Sequence, residues 1–247
     1  KTSIGLSGIT VTPIVYNYTT GSAQALNFGQ QGFKYTPPTG FKALCTQNLP
    51  VTTITNGAQY MAATLWTGNG TTQTIVNSAN NTIGTTFKPD MVWIKERSEI
   101  RSHWVWDSVR GGSLALSTNG TNADTSMPDM TGITSTGFGV SNAGASDVTN
   151  KNAQTYVGWQ WQAGQGTTSS NTSGSITSTV SVNATAGFSV VTYTGTGANA
   201  TVGHGLGVAP KMIIVKYRSS LGDWKVYNSN VGNTYQGFLN DPAAFQG

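Results

Sequence analysis

Nine carboxylates, two histidines and seven tryptophans carry most of the chemistry open to this 247-residue chain. A hydrolase needs two convergent carboxylates, or a nucleophile beside a base. Asp124 and Asp129 lie in one polar stretch and Asp147 in another. They suit a calcium site or an acid–base pair, and they also suit the capping of turns. The ligand spacing and closing Glu of an EF-hand loop are missing, so turn capping is the simpler reading. His103 lies near Asp107 and Ser108, but no Gly-x-Ser-x-Gly elbow accompanies it. His204 sits in the turn sequence Gly203-His-Gly205. Gly195-Thr-Gly197 lacks the third glycine of a dinucleotide fingerprint, and no Gly-Lys-Ser/Thr phosphate loop occurs. The expectation is a protein with no catalytic residue, no metal site and no cofactor.

The tryptophans are stronger candidates. Trp93, Trp104, Trp106, Trp159, Trp161 and Trp224 all fall in stretches that alternate as strands do. Within Tyr156-Val-Gly-Trp-Gln-Trp161, Val157, Trp159 and Trp161 share one face, and Gly158 and Gln160 the other. Trp104 and Trp106 are spaced to share a face in the same way. An exposed pair would offer a platform for sugars, whose C–H faces suit an aromatic ring. A hidden pair would fill the core of a small sandwich. Trp104, Trp106, Trp159 and Trp161 are therefore the candidate binding residues.

The elements that carry these residues come from a phrase that occurs twice. Residues 87–98 read Phe-Lys-Pro-Asp-Met-Val-Trp-Ile-Lys-Glu-Arg-Ser, and residues 208–219 read Val-Ala-Pro-Lys-Met-Ile-Ile-Val-Lys-Tyr-Arg-Ser. Pro89 and Pro210 stand 121 positions apart, as do Met91 and Met212, and Arg97 and Arg218. Upstream, Trp66-Thr-Gly-Asn-Gly70 answers Tyr193-Thr-Gly-Thr-Gly197; downstream, Trp106-Asp-Ser108 answers Tyr227-Asn-Ser229. Proline, glycine and apolar alternation are kept while charges change, which marks a repeated fold and not a repeated active site. Strands are expected at 59–66, 91–95, 104–106, 114–117, 137–140, 156–161, 188–193, 211–217 and 224–227, separated by Gly/Asn turns.

Composition agrees. Charged residues make up 9% of the chain, against roughly a quarter in ordinary globular domains. Thr, Ser, Asn and Gln supply the polarity, and the surface should be neutral and rich in hydroxyls and amides. The net charge of +4 is spread out, with no Lys/Arg-dense stripe for nucleic acid. No apolar run approaches the roughly 18 residues of a membrane span. The single cysteine, Cys45, allows no intrachain disulfide and reads as a small buried hydrophobe. Asn-x-Ser/Thr sequons occur at Asn17, Asn69, Asn80, Asn119, Asn171, Asn183 and Asn199. No signal peptide is evident at Lys1, and the chain reads as a segment of a longer polypeptide.

Residues 1–50 include Leu6-Ser-Gly8, Leu26-Asn-Phe-Gly-Gln30 and Phe33-Lys-Tyr-Thr-Pro-Pro-Thr-Gly-Phe-Lys-Ala-Leu-Cys-Thr-Gln-Asn-Leu-Pro50. This block resembles the closing strands of SPRY-type domains, which have a concanavalin A-like sandwich, in the form found in tailed-phage proteins. Residues 58–247 resemble the β-rich repeat domain that follows such domains in phage virion proteins. The phrases concerned are 67–70, 88–95, 107–111, 156–161 and 203–213. The front of the SPRY-type domain, with part of its ligand-facing loops, is not in this sequence.

The expected architecture is all-β, as tandem antiparallel sandwich modules of jelly-roll or concanavalin A-like form. The expected parts are 1–50, a linker 51–57, a first repeat 58–163, a flexible linker 164–174 and an incomplete second repeat 175–247. The resemblance implies a non-enzymatic structural and adhesive protein at the virion surface or tail. Its partners would be further copies of itself, other virion proteins and host-surface glycans. The alternatives are a subunit of a non-viral extracellular filament and, less well supported, a polysaccharide depolymerase.

Overall fold

The structure, a computed structural model, describes residues 53–78, 84–142 and 147–247, with a few positions between 21 and 42. The strands expected over 1–50, and Cys45, otherwise lie outside the described residues. The chain divides into two compact units, Lys1–Thr52 and Thr53–Gly247. The second holds every element discussed below.

Its strands are β1 (Met61–Thr67), β2 (Gln73–Val76), β3 (Met91–Glu96), β4 (Trp104–Asp107), β5 (Leu114–Ser117), β6 (Thr125–Ser126), β7 (Met130–Thr134), β8 (Gly137–Val140) and β9 (Thr155–Trp161). Then follow β10 (Ser169–Asn171), β11 (Ser178–Asn183), β12 (Phe188–Thr192), β13 (Met212–Lys216), β14 (Trp224–Asn228) and β15 (Gly237–Phe238). All named pairings are antiparallel, and the fold is all-β as expected.

The first repeat is a two-layer sandwich. One layer has the order β1-β9-β3-β4-β5-β6 and the other β2-β8-β7. Strand alternation decides what lies between them. Val92, Ile94, Trp106, Ala115 and Tyr156 point inward from the large sheet and meet Ile75, Met130, Phe138 and Val140 from the small one. Each large side chain fully removed from water contributes about 1.5–3 kcal/mol. At the centre, Trp66 stacks on Tyr156 at 5.4 Å and meets Phe138 edge-on at 5.6 Å. Gly158 makes room for this, since a Cβ there would lie 2.9 Å from the Phe138 ring and 3.1 Å from Trp66.

The second repeat reproduces the first, register for register. Val92 faces Trp106, and Ile213 faces Tyr227. Trp104 faces Ser117, and Lys225 faces Phe238. Ala115 faces Thr125, and Gln236 bridges to Gln246. The 121-residue offset holds at each pair. Among the described residues the second repeat has no strand matching β2, β7, β8 or β9; where the counterpart of β2 falls there is only the single bridge of Val202 to Ile176.

The segment 164–174, expected as a flexible linker, instead contains β10 and is tied down on both sides. The cause is Asp90. Its fully buried carboxyl group accepts bonds from the backbone N–H groups of Ala163, Gln165 and Gly166, at 2.7, 2.7 and 2.8 Å. It also accepts from the Ser108 and Ser181 hydroxyls, at 2.7 and 2.8 Å. A buried carboxyl group demands this many donors, and the turn at 163–166 closes around it to supply them. Ser181 lies on β11, so one side chain of the first repeat holds the second.

Candidate functional site

The four candidate tryptophans separate onto opposite faces of the large sheet. Trp106 is 0% exposed and belongs to the core, and Trp104 packs against the same cluster. The expectation of a binding platform at Trp106 is corrected here, because a ring with no free face cannot stack on a ligand; Trp104 is partly exposed. They point inward because their β3 partners Val92 and Ile94 do.

Trp159 and Trp161 lie on the other face and are partly exposed. Trp159 meets Trp93 edge-on at 6.3 Å, and Trp161 stacks on Phe188 of β12 at 6.2 Å. His103 sits edge-on to Trp93 at 6.3 Å; burial, and then the charge of Lys95, hold its pKa below the ordinary value. Met61 and Leu65 of β1 are exposed beside them. The far end of this face is closed by Trp224, which packs on Val105 and Leu116 and donates its indole N–H to the Ser117 carbonyl at 2.8 Å.

Next to the Trp161–Phe188 stack, a cleft of about 450 Å³ opens between the two repeats. It is lined by the amides of Gln59, Gln162, Gln165 and Asn183, by the Tyr60 ring and by threonines that include Thr86 and Thr185. The local structure sets each position. The Asn56 side chain caps the 3-10 turn Gly57–Gln59, which delivers Gln59 and Tyr60. The Gln162 N–H donates to the Tyr60 carbonyl at 2.8 Å, extending the β1–β9 ladder by one pair. Gln165 sits at φ 54° in the turn that wraps Asp90. Asn183 ends β11, donates to Gln162 Oε1 at 2.8 Å and accepts from the Ala186 N–H. Among the described residues no charged side chain lines the cleft. Gln59 and Gln165 each carry a donor and an acceptor side by side, which matches the adjacent hydroxyls of a sugar, while Gln162 and Asn183 are bonded to each other and Tyr60 adds an aromatic surface. The depression is shallow and open to solvent. Of these cleft residues the sequence singled out Asn183 alone, as a sequon; the other signal was the general wealth of amides and hydroxyls.

The acidic residues are mostly structural. Asp107 pairs with Arg110 at 2.5 Å, Asp124 with Arg218 at 2.8 Å, and Asp147 with Lys151 at 3.2 Å and Arg101 at 3.5 Å. Buried Glu96 lies 3.7 Å from Arg101. Asp124 and Asp147 are thus drawn to different cations and not to each other. Asp129 is buried, and its carboxyl oxygens have no partner among the described residues. Among the described residues no three His, Cys, Asp or Glu side chains gather into a metal-binding group. His204 accepts from the Leu206 N–H and holds its own turn.

The sequon asparagines Asn69, Asn119, Asn171 and Asn183 accept backbone N–H bonds from Thr71, His103, Ser173 and Ala186. Asn69, Asn171 and Asn183 build turns and Asn119 ties its turn to the stretch before β4, while Asn17 and Asn80 lie outside the described residues. No helix among the described residues is long and apolar enough to cross a membrane.

Tandem antiparallel modules with a neutral polar cleft at their junction define a β-sandwich protein built by internal repetition. The chain belongs to the family described as a domain of unknown function, DUF7483, whose model matches residues 56–246. No curated protein matches the chain, and no solved structure does.

Proposed function

We propose that this chain is a non-enzymatic structural and adhesive protein of a virion surface appendage of the phage tail-fibre kind, and that it attaches to host-surface glycans. The observation that carries the glycan part is the cleft of four amides and Tyr60 beside the Trp161–Phe188 stack. Neutral sugars are recognised through paired donors and acceptors plus an apolar ring face, and the cleft supplies both without charge. The virion part rests on the likeness of 1–50 and 58–247 to phage modules. A single shallow site binds weakly, and repetition through an oligomeric appendage multiplies the effect.

Titration of the tryptophan fluorescence with a panel of neutral host-surface oligosaccharides tests the glycan reading. A saturable change that is lost in Gln162→Ala and Tyr60→Ala, with the fold retained, is the expected result. No response across the panel, or an unaltered response in both variants, removes the cleft as a receptor site. Gold-labelled antibody against 58–163 on native source material tests the location. Label on the tails or fibres of particles is expected, and label along free filaments alone would favour an extracellular filament subunit.

A further inference from the structure

The cleft is built from both repeats, and one buried group outside it holds its walls in place. Gln59, Tyr60 and Gln162 come from the first repeat, Asn183 and Thr185 from the second, and Gln165 from the turn between them. Asp90 stands behind two of these residues. Its Oδ2 accepts from the Gln165 N–H at 2.7 Å, and its Oδ1 from the Gly166 N–H at 2.8 Å. With the Ala163 N–H at 2.7 Å, these bonds hold Gln165 at φ 54°, a left-handed conformation that glutamine rarely adopts.

The same carboxyl group fixes the opposite wall. The Ser181 hydroxyl, fully buried, donates to Asp90 Oδ1 at 2.8 Å and accepts from the Gly164 N–H at 2.9 Å. Ser181 and Asn183 are alternate residues of β11, so they share a face and stand about 7 Å apart along the strand. Where Ser181 is held against the first repeat therefore sets how far Asn183 stands from Gln162, to which it donates at 2.8 Å. That single amide contact lies at the cleft wall. The five bonds to Asp90 converge on a group out of reach of water, where each is stronger.

We propose that Asp90 is the positioning residue of the cleft, and that glycan binding is coupled to closure of the junction between the repeats. This rests on the reading of the cleft as a site for neutral glycans, and it adds what sets the occupancy of that site. Gln162 and Asn183 hold each other, which leaves Gln59 of the first repeat and Gln165 of the turn to grip the sugar. A sugar held by both favours the state in which the Asp90 bonds are made. By linkage, those bonds favour the sugar to the same degree.

The test uses the full 247-residue chain and two variants. Ser181→Ala cuts the tie to the second repeat, and Asp90→Asn keeps the side-chain shape but turns one acceptor into a donor. Gly158→Ala, in the core of the first repeat, is the control for loss of stability alone. Without sugar, the side-chain amide resonances of Gln165 and Asn183 should move in Ser181→Ala and Asp90→Asn and hold still in Gly158→Ala. Each neutral oligosaccharide of the panel is then titrated. Ser181→Ala should weaken binding roughly tenfold, as the loss of one buried bond, and Gly158→Ala should leave it unchanged. A saturating sugar should slow hydrogen exchange at the Ala163, Gln165 and Gly166 amides roughly tenfold, with those of β5 unaffected. Unmoved resonances in both junction variants overturn the positioning role. Equal affinity in all three variants overturns the coupling and leaves the glycan reading standing, as does an affinity that falls equally in Gly158→Ala. No binding by any sugar overturns the coupling and the glycan reading together, while the resonances decide the positioning role on their own.

Discussion

Ile94 and Val215 occupy the same place in two copies of one hairpin, yet Ile94 is 1% exposed and Val215 is 39% exposed. Their cross-strand partners, Trp104 and Lys225, stand in matching register. Local sequence is therefore sufficient to set strand, turn and pairing. It does not set burial. Burial in the first repeat comes from β7, β8 and β9, which arrive some 40 to 60 residues after the hairpin begins. The hairpin is a local decision, and the core is a long-range one.

The sharpest way to break this comparison is to truncate matched residues. Trp106→Ala should destabilise the chain by about 3–5 kcal/mol in urea unfolding, as a fully buried tryptophan lost from a core. Tyr227→Ala, at the same register in the half-buried copy, should cost well under half as much. Equal costs would mean that the second core is as closed as the first. Next comes Asp90→Ala, at about 3 kcal/mol, because it strands five donors at once. Its counterpart is the exposed Lys211, and Lys211→Ala should leave the melting temperature unchanged. Gly158→Ala should cost about 1–3 kcal/mol by crowding Phe138 and Trp66, with a melting scan as readout.

The smallest effects are those of pH. Burial pushes the Tyr156 hydroxyl up to about 12. The unfolded chain then loses this proton near pH 10 while the folded chain keeps it. Stability is held below pH 10 and falls between 10 and 12, and Tyr156→Phe should remove that component. His103 is shifted the other way, so the unfolded chain binds its proton first. Stability is full above about pH 6.5 and declines slightly as pH falls through and below that value. His103→Gln should flatten the decline in an acid titration.

The strands at 91–95, 104–106, 114–117, 137–140, 156–161, 212–216 and 224–227 were legible because apolar and aromatic residues alternate there between clear turns. Strand β11, Ser178-Thr-Val-Ser-Val-Asn183, was not. Its polar Ser178 and Ser181 are buried, with the Ser178 hydroxyl donating to the Gly203 carbonyl and that of Ser181 to Asp90. Hydroxyls that find partners inside a protein look in sequence like a soluble loop. Strand β10 was hidden for another reason: its exposed Ser169-Ser170-Asn171 reads as a loop within a stretch of Gly, Thr and Ser. The pairing of tryptophans on faces was readable from spacing, but which face was the core was not. That depended on where β7 and β8 come to lie, and no local pattern carries it. The cleft was invisible because its residues come from four separate stretches of sequence, joined by long-range bonds such as Gln162–Tyr60 and Asn183–Gln162.

The bonds to Asp90 also determine how the molecule answers to force. Pulled from Gly247, the chain first breaks the Gln236–Gln246 bridge, then strips β15 from β14 and β14 from β13, a few bonds at a time. The unravelling passes through β12 and β11 and reaches the turn at 163–166. There the three backbone N–H bonds of Ala163, Gln165 and Gly166 to one buried carboxyl group must yield almost together. The second repeat would lengthen at low tension and act as a shock absorber, while the first repeat and the half of the cleft built on it stay intact.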